Sequence, residues 1–245
     1  MNDKYTISII IPFYNASDHV ENCLNSLLNQ DFKDSYEIIM INDGSQDNSK
    51  DIIENYNLKN LRIYNLKVNS GPAKARNLGL KFANGKYVSF LDVDDTLNKN
   101  FLSSLYSEAI KGDYDFVFCD TKWIENSKHQ RKNTFMYSTD KKIEAFELKN
   151  LLRERFVDLS SKGLLDCKGK LIRKSILYKN NISFEDKLRY LEDEIFLWDL
   201  YPFVNRIKYI RQKLYCYFVN PNQSSAVVQG LNLGFPIEKF KIISN

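Results

Sequence analysis

The sequence predicts an α/β fold: a Rossmann-like, mostly parallel central sheet flanked by helices. Three observations predict it. Apolar, β-branched runs at Thr6–Ile11, Tyr36–Ile41, Leu61–Leu66 and Tyr87–Leu91 are too continuous to alternate, which marks strands covered on both faces. Segments of helical period lie between them, so strand and helix take turns as in βαβ units. Polar and turn residues follow the carboxyl ends of the runs, the edge where parallel sheets bind ligands.

Taken in order, Thr6–Ile11 ends at Pro12-Phe13-Tyr14-Asn15, and Ser17 or Asp18 is expected to cap the next helix. In that helix Val20, Leu24, Leu27 and Leu28 share one stripe, and it stops near Gln30. The second strand, Tyr36–Ile41, runs into the turn residues Asn42-Asp43-Gly44-Ser45, with a helix expected over Ser49–Tyr56. After the third strand, Asn69-Ser70-Gly71-Pro72 opens a helix carrying Lys74, Arg76, Asn77 and Gly79. Asn84-Gly85 is a turn before the fourth strand. Beyond it the pattern is less regular. An amphipathic helix is expected over Asn98–Lys111, a strand over Asp115–Cys119, a polar mobile loop over Glu125–Lys142 and helical period over Ile143–Phe156. Leu171–Leu177 is apolar between Lys170, Arg173 and Lys174. A helix follows Glu192-Asp193-Glu194 through Tyr201, then a short strand pair, Ile207–Ile210 and Leu214–Phe218, and a polar loop at Asn220–Ser225. There is no internal repeat and no clear linker, so the 245 residues read as a single domain, 1–245, in two halves, 1–120 and 121–245.

Composition narrows the class. A 43% hydrophobic and 13% aromatic chain can build a core. A net charge of +4, from 35 basic and 31 acidic residues, is too balanced for a nucleic-acid partner. Cys23, Cys119, Cys167 and Cys216 are far apart with no CxxC pairing, which suits reduced thiols in a cytoplasmic setting. Met1-Asn2-Asp3-Lys4 runs straight into a strand, leaving no room for a signal peptide, and no apolar run approaches the ~20 residues that span a bilayer. The expectation is a soluble protein, or one lying at most on a membrane surface.

Tyr87–Asp95 concentrates the chemistry. The strand ends abruptly in Asp92, Asp94 and Asp95, and carboxylates there must face water or a cation. Alternation along an extended backbone would place Asp92 and Asp94 on one side, where both would grip one Mg2+ or Mn2+, or one would take the metal and the other a sugar hydroxyl. The same acids would serve as a cap for the next helix. Polar groups also follow the first strand (Tyr14, Asn15) and the second (Asp43). No GxGxxG follows the first strand and no GxxxxGK[ST] occurs anywhere, so phosphates would be held by a metal and by basic side chains such as Lys74 and Arg76. Spacing alone favours a solvated helix face for those two. Glu192, Asp193 and Glu194 either meet a helix dipole or supply a general base.

Four motifs then occur in order: Ser-Ile-Ile-Ile-Pro-Phe-Tyr-Asn at 8–15, Ile-Asn-Asp-Gly-Ser-Gln-Asp-Asn-Ser at 41–49, Asn-Ser-Gly-Pro-Ala-Lys-Ala-Arg-Asn-Leu-Gly at 69–79, and Phe-Leu-Asp-Val-Asp-Asp at 90–95. Together they resemble the family 2 glycosyltransferases of the GT-A fold. Lys170-Leu171, Phe184, Glu192-Asp193 and Tyr215–Ser225 resemble that family's acceptor half more loosely. The resemblance implies a nucleotide-sugar-binding half and a smaller acceptor-binding half. The implied reaction is inverting transfer of a sugar from a nucleotide sugar, usually a UDP-sugar, to a hydroxyl of a glycan or lipid-linked glycan. It implies that Pro12 and Tyr14 line the base pocket, that Asp43 accepts a hydrogen bond from uracil, and that Arg76 borders the nucleotide. It places Asp92 on the ribose or donor sugar, Asp94 on the metal, Mn2+ or Mg2+, and Asp193 as catalytic base, with Asn15, Glu192 and Lys170 as auxiliary or acceptor residues.

Asn42 stands where the family often has Asp, and Leu191 where it often has Gly. By the same resemblance the pathway is bacterial capsule, lipooligosaccharide or lipid-linked glycan synthesis. The basic run Lys168–Lys174 would then either meet a lipid diphosphate, with the protein peripheral at the inner membrane, or, as surface lysines usually do, simply face solvent. The chain ends at Asn245 without an obvious closing element, so a further C-terminal segment is expected. Other readings of the same sheet are a sugar-nucleotide-processing nucleotidyltransferase and a non-catalytic nucleotide- or glycan-binding module.

Overall fold

The structure, a computed structural model, describes residues 3–124, 140–144, 166–188 and 190–219. Its strands are β1 (Tyr5–Phe13), β2 (Tyr36–Asn42), β3 (Leu61–Asn65), β4 (Gly85–Phe90), β5 (Thr96–Leu97), β6 (Phe116–Ile124), β7 (Lys141–Glu144), β8 (Lys170–Arg173) and β9 (Arg206–Phe218). Its helices are α1 (Val20–Leu28), α2 (Ser49–Asn55), α3 (Pro72–Phe82), α4 (Phe101–Lys111), α5 (Lys174–Lys179) and α6 (Glu192–Leu200).

All nine strands join one sheet in the order β3-β2-β1-β4-β8-β6-β9-β5, with β7 alongside β9. The expected parallel arrangement holds across β3-β2-β1-β4. Beyond β4 the sheet is mixed: β8 is antiparallel to both β4 and β6, while β6 and β9 are parallel.

Period-two alternation explains how one sheet serves two cores. Ile7, Ile9, Ile11 and Phe13 of β1 face one core, which α1, α2 and α4 cover with Val20, Leu24, Leu27, Ile53, Phe101 and Leu105. Ile10, Ile39, Ile41, Val88 and Phe90 face the other, covered by Ala73, Ala75 and Leu80 of α3, Leu177 of α5 and Phe196, Leu197 and Leu200 of α6. At Gly79 the backbone of α3 lies so close to β1 that a Cβ would sit 2.3 Å from Ile10 Cγ2.

Several expectations change. Neither Ser17 nor Asp18 caps α1; its first residue follows His19, and no side chain bonds the cap. The Ser17 N–H instead donates to Asp47 Oδ2 (2.9 Å), tying the loops after β1 and β2 together. The expected strand pair at 207–218 is one strand of 13 residues. Its register against β6 slips at Asp120, so the exposed pair Arg211-Gln212 is a bulge, where the polar residues suggested a turn. The bulge divides the far edge of β9 between β7 (Arg206–Tyr209) and β5 (Tyr215–Cys216). Lys141–Glu144, expected to end a loop and begin a helix, is a strand. Residues 125–139 and 145–156 of those two segments, and the Asn220–Ser225 loop, lie outside the described residues. The four cysteines are buried and free.

Candidate active site

The carboxyl ends of β1, β2 and β4 form one edge, and the polar groups sit there as expected. At the end of β1, Pro12 pairs with Ile41 and is half-buried, while Tyr14 is 45% exposed. Asn15 adopts φ +46°; its N–H donates to Ser45 Oγ (3.0 Å) and its Oδ1 accepts from the Gln46 N–H (2.8 Å). The two loops therefore move as one, with the Tyr14 ring on the solvent side.

At the end of β2, Asp43 is buried, and its carboxylate accepts from the N–H groups of Ser70 (2.7 Å) and Gly71 (2.8 Å). Burial pushes its pKa up, and those two amides and Lys74 pull it back. Asp43 thus fixes the turn that opens α3, where Gly71 takes φ +93°, a conformation suited to glycine, and Pro72 begins the helix. Each carboxylate oxygen keeps a second lone pair for a ligand. Asn42 donates from Nδ2 to Asn65 Oδ1 (3.0 Å) and accepts from the Ser45 N–H (2.8 Å). An Asp there would have no hydrogen to donate.

Arg76 and Lys74, open to the same two readings in the sequence, part company. Lys74 is exposed, whereas Arg76 is 5% exposed. Arg76 Nη2 donates to Asp92 Oδ1 (2.8 Å); Nη1 donates to Glu192 Oε1 (2.9 Å) and lies 3.0 Å from Asp193 Oδ1. Its guanidinium also lies 5.5 Å from the Phe184 ring centroid. Burial alone would lower its pKa, but Asp193, Asp92 and Glu192 hold it well above the ordinary value. Next to it, Asn77 clasps Phe184 through both backbone groups, at 2.8 and 2.9 Å.

The acidic motif is a turn. The Asp95 N–H donates to the Asp92 carbonyl (3.0 Å), so Asp92 and Asp94 do not alternate along an extended strand as expected. Asp92 points to Arg76, and Asp94 sits part-exposed in the turn. Asp95 is buried; it accepts from Tyr215 Oη (2.7 Å) and the Phe218 N–H (2.9 Å), and Tyr215 Oη accepts from the Asp92 N–H (3.2 Å). Burial and then the Asp92 and Asp94 charges push Asp95 up to about 8. Asp92 moves the other way: burial opposes, but Arg76 and Lys168 hold its carboxyl below the usual range.

The opposite wall comes from the start of α6 and the 166–170 turn. Asp193 Oδ2 accepts from the Cys167 N–H (3.1 Å), and its Oδ1 faces Arg76. Burial and Asp193 raise Glu192, against Arg76. Burial, then Asp193, Asp166 and Glu192, push Glu194 up to about 7, and its Oε2 is buried without a hydrogen bond among the described residues. Lys170 is 1% exposed, with Nζ at 3.2 Å from Asp166 Oδ1 and 3.0 Å from the Lys168 carbonyl. It braces the turn from behind. Arg173 pairs with Asp113 (2.7 Å) and Asp115 (3.1 Å), and Lys174 with Asp3 (3.0 Å). The basic run expected to meet a lipid diphosphate is thus largely neutralised by the protein's own carboxylates.

The structure therefore brings Arg76, Asp92, Glu192 and Asp193 into direct contact and sets Pro12, Tyr14, Asn15, Asp43 and Asp94 along the same strand-end edge. Two contributors had no individual signal: Lys168, hidden in the basic run, and Tyr215, read only as part of a strand and of the segment resembling the acceptor half. Among the described residues, no group of three or more His, Cys, Asp or Glu side chains is placed to hold a metal ion. A hard divalent cation can still be held by one or two carboxylates plus substrate phosphates and water, and Asp94, an oxygen donor in a part-exposed turn, fits that chemistry. No helix among the described residues is long and apolar enough to cross a membrane.

The chain is similar to known proteins in both sequence and fold. Residues 8–180 match the model of Glycosyl transferase family 2. A poly(ribitol-phosphate) beta-N-acetylglucosaminyltransferase, TarS of Staphylococcus aureus, is 33% identical over 86% of this chain and 35% of its own. An uncharacterized glycosyltransferase of Escherichia coli, YibD, is 31% identical over 90% of this chain; the chain spans 63% of that relative's length. The crystal structure of S. aureus TarS 1-349 in complex with UDP-GlcNAc superposes with a TM-score of 0.77 at 27% identity, covering 97% of this chain and 64% of that one. The fold is the GT-A fold that the motifs implied.

Proposed function

The chain belongs to glycosyl transferase family 2, and from that premise we propose that it transfers a sugar from a UDP-sugar to a hydroxyl of a cell-surface glycan or lipid-linked glycan, inverting the anomeric centre. The observation that carries this reading is the Arg76 bridge. One guanidinium joins Asp92, at the end of a donor-side strand, to Asp193, at the start of α6. The carboxylate read as the donor's and the carboxylate read as the base are thereby both tied to one guanidinium, which supports a shared site. The UDP-GlcNAc complex of TarS supports UDP as the nucleotide.

In this reading Tyr14 and Pro12 border the base, and Asp43 offers its remaining lone pairs to the pyrimidine edge. Asp92 accepts a hydrogen bond from the ribose or donor sugar. A Mg2+ or Mn2+ ion held by Asp94 would supply charge neutralisation on the diphosphate. Asp193 takes the acceptor hydroxyl's proton as the oxygen bonds to the anomeric carbon. The carbon–phosphate-oxygen bond breaks on the opposite side, and its electron pair leaves with the nucleoside diphosphate. The Cys167 N–H and Arg76 fix the direction in which Asp193 points. Asp193→Asn tests the assignment, since it keeps the shape and removes the base. Transfer should fall at least 100-fold, while UDP affinity by calorimetry changes less than twofold, within the usual reach of general-base catalysis. Normal turnover by the variant would refute Asp193 as the base.

A further inference from the structure

Among the described residues, Lys168 is a basic side chain beside the acidic turn and the start of α6 that neither braces the fold as Lys170 does nor has a task in the proposed reaction. It sits in the turn between Cys167, whose N–H holds Asp193, and β8. Its ammonium lies 5.0 Å from the Tyr217 ring centroid, and the carboxylates acting on it are Asp166, Asp92, Asp193 and Asp95. Yet among the described residues its Nζ makes no hydrogen bond and no ion pair. Lys170, two residues on, shows what a bracing lysine does here: it is buried, and its Nζ takes Asp166 Oδ1 and a carbonyl. That leaves Lys168 half-buried over the Tyr217 ring, within electrostatic reach of carboxylates from the acidic turn and from α6 and hydrogen-bonded to none of them.

Arg76 cannot serve a phosphate from where it is. Its two Nη atoms are spent on Asp92, Glu192 and Asp193, and its Nε is buried without a partner. The other titratable side chains at the acidic turn and the start of α6 are carboxylates, which repel a diphosphate when ionised. A leaving nucleoside diphosphate needs positive charge on its distal phosphate as the bond to the sugar breaks. An ammonium is a compact point charge suited to that contact.

We propose that Lys168 is a phosphate-binding residue of the donor site, taking the distal phosphate of the nucleoside diphosphate between Asp92 and Asp193. The inference rests on the donor reading above. Lys168 keeps its proton throughout; the electron pair of the broken bond stays on the phosphate oxygen that it faces. Calorimetry of UDP and UMP, both with Mn2+, on the unaltered chain, Lys168→Met and Lys168→Arg tests it. The unaltered chain should bind UDP, and Lys168→Met should weaken UDP about 10-fold while UMP changes less than twofold, with Lys168→Arg retaining most of the UDP affinity. Equal losses for UDP and UMP, or no loss for either, would overturn the role of Lys168 while leaving the donor reading intact. Failure of the unaltered chain to bind UDP would overturn the donor reading itself, and this inference with it. Melting temperatures of the three ligand-free proteins within a few degrees of one another separate a phosphate contact from misfolding.

Discussion

Arg76 and Leu191 show what single positions contribute. A guanidinium presents a planar fork of donors, and Arg76 uses it to reach three carboxylates at 2.8–3.0 Å. A lysine keeps the charge but cannot span them. Arg76→Lys is therefore expected to cost about 1–3 kcal/mol, the scale of leaving one buried polar group unsatisfied. Arg76→Met leaves all three acids unpaired and should cost about 3–5 kcal/mol, the scale for breaking a buried ion pair. Urea midpoints at pH 7 measure both, and a Met variant as stable as the Lys variant would contradict the bridge. Leu191 adopts φ +63° immediately before α6, where the family often has glycine. A left-handed L-residue costs roughly 1–2 kcal/mol, against about 0.5–1 kcal/mol of extra unfolded-state entropy for glycine. Leu191→Gly should thus gain about 0.5–1 kcal/mol by the same measurement. A loss would show that the contacts of the Leu191 side chain outweigh the strain.

Helix α6 begins with three acids, and two effects compete there. The helix dipole favours their ionised form, typically by ~0.3–1 kcal/mol each. Burial and mutual repulsion oppose it and win at Glu194, which is pushed up to about 7. Because the folded-state pKa lies above the ordinary value of 4.5, the folded protein holds that proton more tightly than the unfolded chain. The stability it contributes is complete below pH 4.5 and is lost as pH rises through about 7. Glu194→Gln cannot lose it, so the variant's melting temperature relative to the unaltered chain should rise between pH 4.5 and 7. A pH-independent difference would show that Glu194 titrates normally. The dipole, and hence the acids' preference for a helix start, was legible in the sequence; their burial was not. The same holds elsewhere. Strands β1–β4 and helices α1–α4 declare themselves through local period. Arg76 read more readily as solvated, because two of the three carboxylates that it meets, Glu192 and Asp193, lie far along the chain, Glu192 at 116 residues. Strand β9 looked like two strands because a polar bulge and a turn have the same composition. The turn at Asp92–Asp95 was mistaken for extended backbone because the hydrogen bond that closes it leaves no mark in residue type.

The whole molecule is held as one unit by the order of its sheet. Strand β8, from the second half, lies between β4 and β6, and β9 covers the other edge of β6. The four parallel strands that carry Pro12 and lead into Asp43 and Asp92 therefore reach β6 only through a later segment of the chain, Lys170–Arg173. Both cores cross the same boundary: Phe90 packs edge-on to Phe184 and Phe196, and Tyr215 joins the face that holds Ile9 and Leu91. The two halves proposed for donor and acceptor should not fold apart. A fragment ending at Ile124 would leave the Tyr87 and Val88 edge of β4 unpaired and β6 without a neighbour on either side. It would also expose the Asp92 and Asp95 carboxylates, stripped of Tyr215 and the start of α6. Such a fragment is expected to show no cooperative thermal transition, no near-ultraviolet circular dichroism and no UDP-induced stabilisation. The full chain at 100-fold excess of UDP over its dissociation constant should gain about 2.7 kcal/mol by mass action. A fragment that melts cooperatively and gains the same stabilisation would show that the donor site is complete without the second half, and that the Arg76 bridge joins two domains that fold on their own.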